Sequence, residues 1–159
     1  MASLPCKLMA QIPFKVGGDV FYRLFTNNPQ HFSKITPAKI QACDLHDGDY
    51  GINGSAVEWK FTVGLCLFGL AYSVPRVLVF CIVDDEEKKQ IAYKIIQGDL
   101  LELYTNVLVT YHVETKGGVD YVTWTMDYQL LNADNPHPTA LVNFVIELIK
   151  ETEAHIFGQ

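Results

Sequence analysis

The stretch that decides the fold is Pro138-Thr-Ala-Leu-Val-Asn-Phe-Val-Ile-Glu-Leu-Ile-Lys-Glu-Thr-Glu-Ala-His155. Leu141, Phe144, Val145, Leu148 and Ile149 recur at the spacing of a helix with one buried face. Pro138 suits the first turn, where a missing N–H costs nothing. Val142 and Ile146 widen the apolar side, while Asn143, Glu147, Lys150 and Glu151 form a face for water. Nearly everything upstream reads as strands. The sequence therefore predicts an α+β fold with a sheet wrapped around this one long helix, and the space between the two is where function is sought.

Working outward, Leu8, Ala10, Ile12, Phe14 and Val16 share one face of a strand from Cys6 to Val16, with Pro13 demanding an edge or a bulge. Gly17-Gly18 stops it, and Asp19 is placed to cap a short helix carrying Val20, Phe21, Leu24 and Phe25. A second short helix is expected over 30–35, then a strand over 39–46. Val57, Trp59, Phe61 and Val63 share the next strand's apolar face, and Ile91, Tyr93 and Ile95 that of a later one. Asp84 to Lys89 is a charged turn. Val107, Val109, Tyr111 and Val113 alternate with polar residues, as do Val122, Trp124, Met126, Tyr128 and Leu130, with Gly117-Gly118 as the turn between.

The 159 residues suit a single domain, 1–159, and 49% hydrophobic against 19% charged composition fits a globular chain rather than a disordered one. A net charge of −6, with scattered Lys and Arg, argues against a nucleic-acid partner. Cys6, Cys43, Cys66 and Cys81 form no C-x-x-C pair, and three lie in apolar runs, which favours buried thiols in a reducing compartment over the alternative of two disulfides. The N-terminus lacks the charged start and apolar run of a secretory signal, so a cytoplasmic location is expected.

Residues 64–83 do not alternate and are apolar on both sides. Pro75-Arg76 in the middle and the β-branched Val77 to Val83 argue against a membrane-spanning helix. A strand pair with a covered outer face, an enlarged ligand-chamber wall, or both, is expected here, with a homodimer through residues 64–83.

The chemistry-bearing signals are few. Gly48, Gly51 and Gly54 lack a Gly-Lys-Ser/Thr and lead into a strand, and Asp47 and Asp49 would repel phosphate, so the loop reads as a tight connection. His31, His46, His112, His137 and His155 show no metal-ligand spacing, and no metal or cofactor is expected. His112 and His137 read as surface residues, and His46 as a candidate facing a cavity mouth. No nucleophile motif occurs. Tyr93, Tyr111 and Tyr128, with Tyr72 from the odd stretch, are the phenols that could point inward and donate to a ligand oxygen.

Several strings together resemble the plant major latex protein group, within the wider pathogenesis-related class 10 (birch-pollen-allergen-like) superfamily. They are Gly18-Asp19-Val20-Phe21, Asp44 to Gly51, Glu58-Trp59-Lys60, Gly98 to Tyr104, and Val122-Thr123-Trp124-Thr125. The resemblance spans nearly the whole chain. It implies a helix-grip fold: a seven-stranded antiparallel sheet curled around the C-terminal helix, two short helices closing one end, and a large cavity for small hydrophobic metabolites. The family's polar Gly- and Lys-containing hairpin after the strand with Trp59 is replaced here by the longer apolar 64–83 stretch.

For that cavity, the inward faces nominate Phe14, Trp59, Phe61, Tyr72, Tyr93, Tyr111, Trp124 and Met126 as ligand-binding, with Leu141, Phe144, Val145 and Leu148 from the helix. Tyr93, Tyr111, Tyr128 and His46 are the catalytic candidates. The resemblance leaves two functions in competition: steering cyclisation or isomerisation of a reactive terpenoid (iridoid-type) or alkaloid intermediate, which some members of the superfamily assist, or non-catalytic carriage, storage or defence-related binding of apolar metabolites. Neither inserts into a membrane. A third reading makes residues 64–83 chiefly a protein–protein surface.

Overall fold

A computed structural model describes residues 4–15, 17–26, 29–49, 54–67, 70–85 and 89–157, by backbone alone at 25, 26, 29, 46, 64–67, 70–85, 99 and 157. The chain runs β1 (Cys6–Pro13), α1 (Gly18–Thr26), a 3-10 turn (Pro29–His31), α2 (Phe32–Ile35), β2 (Ile40–Asp47), β3 (Ala56–Leu67) and β4 (Leu70–Asp85). It continues with β5 (Gln90–Gly98), a second 3-10 turn (Asp99–Glu102), β6 (Tyr104–Lys116), β7 (Val119–Leu130) and α3 (Thr139–Phe157). The strands form one seven-stranded sheet in the order β1-β7-β6-β5-β4-β3-β2, antiparallel throughout. This is the expected helix-grip fold.

The helix does what its spacing dictates. Val145, Leu148 and Ile149 are buried against the sheet, Phe144 rests on Phe61 with ring centroids 5.4 Å apart, and Asn143, Glu147 and Lys150 are exposed. Thr152 continues the buried stripe, its hydroxyl donating to the Leu148 carbonyl at 2.7 Å. The helix is tied down from outside by Lys39, which bridges Glu147 at 3.3 Å and Glu151 at 3.0 Å.

Edges and turns obey local chemistry. β1 lies at the sheet edge, where Pro13 is tolerated, and it ends at that proline rather than reaching residue 16. The β6–β7 turn is the two-residue Gly117-Gly118, both with positive φ (60° and 80°), the conformation that matches the strands' twist. The start of α1 departs from expectation. The Gly18 N–H donates at 2.7 Å to the Asp120 carboxylate from β7, while Asp19 pairs with Lys89. A partner 102 residues away thus does the capping that a local side chain was expected to do.

The apolar 64–83 stretch forms the tip of β3 and most of β4, and no described helix is long and apolar enough to cross a membrane. The β3–β4 ladder outruns its neighbours. Pairing with β2 starts at Phe61, and that with β5 at Leu78, so beyond Thr62 the hairpin is a two-stranded ribbon paired, among the described residues, only with itself. The Thr62 N–H donates sideways to the Lys39 carbonyl, so its partner Pro75 directs its N side away from β3, to an edge where a missing N–H breaks no ladder bond. Register, not alternation, assigns the faces: Leu78 lies opposite Trp59, Arg76 opposite Phe61 and Tyr72 opposite Leu65.

Candidate functional site

Between the sheet and α3 lies a cavity of about 80 Å³, room for several waters or the core of a small organic molecule. β3 contributes Trp59 and Phe61 to its wall, β5 Tyr93 and Ile95, β6 Val109 and Tyr111, and β7 Trp124 and Met126. Leu141, Phe144, Val145 and Leu148 of α3 form the opposite side, with Ile40 and Leu100 at the margins. Period-two alternation is what puts those strand residues inside, and the helical stripe brings its own four to face them.

Ten of the residues nominated for ligand binding, from Trp59 to Leu148, line this wall. The nomination missed Ile40, Ile95, Leu100 and Val109. Ile95 and Val109 share a strand face with nominated tyrosines and were legible by alternation, whereas Ile40 and Leu100 sit at element ends, where no periodicity reaches. Phe14 is a correction: it is fully buried but packs one layer out, its ring 5.3 Å from that of Phe21, and does not line the cavity. The side chains of Tyr72 and His46 lie outside the described residues.

The wall is aromatic and arranged at right angles. The Trp59 and Tyr93 rings are 6.5 Å apart and inclined at 81°, and those of Tyr93 and Tyr111 are 6.3 Å apart at 86°. Phe21 and Phe32 close the circuit from α1 and α2: Tyr111 to Phe21 is 5.8 Å, Phe21 to Phe32 6.4 Å and Phe32 to Trp59 5.9 Å. Burial pushes the Tyr111 phenol far up, so it stays protonated at any physiological pH and can act on a ligand only as a neutral donor or acceptor.

Tyr128, a catalytic candidate, does not line the cavity. Its hydroxyl meets Nδ1 of His137 at 2.6 Å, and burial raises its phenol, with smaller contributions from Cys6 and Tyr104. His137, read as a surface residue, is exposed yet held by this bond. The Tyr104 hydroxyl donates at 2.6 Å to the Pro136 carbonyl. These two phenols fasten the 131–138 loop rather than reach a ligand. Among the described residues, no group of three or more His, Cys, Asp or Glu is placed to hold a metal.

Comparison with known proteins agrees with this architecture. The family model described as "Pathogenesis-related protein Bet v 1 family" matches residues 3–159. MLP-like protein 43 of Arabidopsis thaliana is 32% identical over 99% of this chain and 97% of its own length. MLP-like protein 34 of the same plant is 33% identical over 96% of this chain, which spans only 46% of that longer protein. The crystal structure of ginseng major latex-like protein 151 from Panax ginseng superposes with a TM-score of 0.85 at 38% identity, covering 96% of this chain and 98% of the other. Norcoclaurine synthase from Thalictrum flavum, at 15% identity and a TM-score of 0.68 over 94% of this chain and 87% of its own, shares the fold alone.

Proposed function

The chain belongs to the pathogenesis-related protein Bet v 1 family, and from that premise we propose that its cavity binds a small apolar metabolite. The observation that carries this reading is the lining, in which every described side chain is aliphatic, aromatic or Met. Moving apolar surface from water onto such a wall gains about 25 cal/mol per Å².

The finer reading is that the cavity steers cyclisation or isomerisation of a reactive terpenoid (iridoid-type) or alkaloid intermediate. Two phenols, Tyr93 and Tyr111, stand on the wall, and a synthase shares the fold. A flexible intermediate held in one folded conformer has already lost the entropy that ring closure demands, and a single hydrogen bond to a developing enol suffices to bias the outcome. Carriage without catalysis is favoured by a different observation: the described lining contains no carboxylate, imidazole or amine to serve as acid or base.

One experiment separates the two. Binding is followed by the fluorescence of Trp59 and Trp124 while an unstable enol or dialdehyde terpenoid is generated in situ, with product stereochemistry read by chiral chromatography. A shifted isomer ratio that Tyr93→Phe or Tyr111→Phe abolishes supports the cyclase. Quenching with an unchanged ratio supports the carrier, and no quenching with any apolar probe overturns both. A homodimer through residues 64–83 is proposed on the ribbon's open edges. A cytoplasmic location is proposed on the four cysteines of the sequence, which form no C-x-x-C pair.

A further inference from the structure

Resting on the reading of the cavity as a ligand site, we propose that it is an aromatic cage for a ligand whose apolar skeleton carries a quaternary or delocalised positive charge. The ligand class is the quaternary ammonium, iminium or N-alkylpyridinium type.

The first observation is composition. Six of the fourteen described lining residues are aromatic, where the chain as a whole is 12% aromatic, and both tryptophans of the sequence are among them. Aliphatic residues would bind a neutral hydrocarbon as well. What rings add is a negative face, strongest in Trp, that attracts a cation within about 6 Å of the centroid.

The second is geometry. Trp59, Tyr93 and Tyr111 meet in two consecutive corners of 81° and 86°, with centroids more than 6 Å apart. In these edge-to-face pairs successive rings stand as walls at right angles, and all three residues line the cavity. Phe21 and Phe32 complete the circuit behind them and shut out water.

The chemistry then selects among cations. A primary ammonium brings N–H donors that demand acceptors, and the described lining offers few beyond the two phenol oxygens. Quaternary and delocalised cations have no such demand and are weakly hydrated, so a dry aromatic wall costs them least. An anion would meet only repelling ring faces. The net charge of −6 draws cations toward the protein.

The test exploits the fact that the sequence contains two tryptophans and both line the cavity. Protein made with 5-fluoro-, difluoro- and trifluorotryptophan keeps the side-chain shape nearly unchanged while the ring face loses its negative charge stepwise. Phenyltrimethylammonium and its neutral isostere tert-butylbenzene are titrated against each form at fixed ionic strength. The cation is expected to bind the unlabelled protein at least as tightly as the isostere and to be displaced by it. Its Kd is expected to rise roughly five- to tenfold across the series while that of the isostere stays level. Tyr93→Phe keeps a ring face and is expected to retain cation binding, whereas Tyr93→Leu weakens it. Binding of the isostere alone, a cation Kd indifferent to fluorination, or cation binding that the isostere does not displace would overturn the cage and leave the apolar site standing. Failure of both probes to bind would overturn the chamber itself.

Discussion

Two regions around the cavity are held by different physics. At the α1–α2 end, Phe14, Phe21 and Phe32 are fully buried; Phe21 meets Phe14 and Phe32 edge to face, and tilted contacts join Phe21 to Tyr111 and Phe32 to Trp59. At the other end, the 131–138 loop is pinned by hydrogen bonds: Tyr104 to Pro136, Tyr128 to His137, Asn135 to the Leu103 carbonyl at 3.0 Å, and the Leu131 N–H to the same carbonyl at 3.0 Å. Packing is lost all at once when a ring is removed, whereas a partly buried hydrogen bond contributes only a small net amount. The difference teaches that one end is a fixed floor and the other a fastening.

The harshest way to break the contrast is to remove a ring from the floor. Phe21→Ala is expected to cost about 3–5 kcal/mol, since the ring contacts three other aromatics and leaves a hole that rigid neighbours cannot fill. A urea midpoint shift without a change in slope would show it, and a loss under about 1 kcal/mol would mean that the floor collapses freely. Next comes Gly18→Ala. A Cβ there would stand 2.0 Å from Cγ1 of Val113, so α1 must lift from β6, at an expected cost of about 1–3 kcal/mol. Combining it with Val113→Ala should recover part of the loss, because the clash is with that one methyl.

The same contrast explains what was legible in the sequence. The floor's rings could be assigned to helices and strands from periodicity alone, because apolar faces repeat along each element. The fastening could not. The Tyr104 and Tyr128 bonds join residues 32 and 9 positions away, and a histidine in a polar loop gives no sign of its partner. Nor was the Asp120 cap on α1 visible, since Asp19 sits one residue beyond Gly18 and Asp120 a whole sheet away. Residues 64–83 failed for another reason. Alternation encodes a face only when the two faces differ in polarity, and here the cross-strand register had to decide.

At the fastened end the effects should be smaller. Tyr104→Phe removes one partly buried donor and leaves the Pro136 carbonyl to water, at an expected cost of about 0.5–1.5 kcal/mol. Its signature is local: faster amide exchange at Leu131 with core strands unchanged. A global loss matching that of Phe21→Ala would erase the distinction between the two ends.

Acid supplies the mildest and most selective perturbation, because the carboxylates in question belong to one end only. The Thr115 hydroxyl first, then the Gly18 N–H, hold the Asp120 carboxyl below its ordinary value. At Glu151, burial pulls upward, but the hydrogen bonds from Thr36 and Lys39 and the Lys39 charge outweigh it. Groups whose folded pKa is depressed stabilise the fold fully above their unfolded values, near 4, and lose that contribution as pH falls through the folded ones. Protection of the Gly18 amide should therefore fall as pH drops below about 4, while that of Leu131, whose bond involves no carboxylate, holds to lower pH. Asp120→Asn should flatten the Gly18 profile. If Leu131 opens first, the hydrogen-bonded end is the acid-sensitive one, and the assignment of floor and fastening must be reversed.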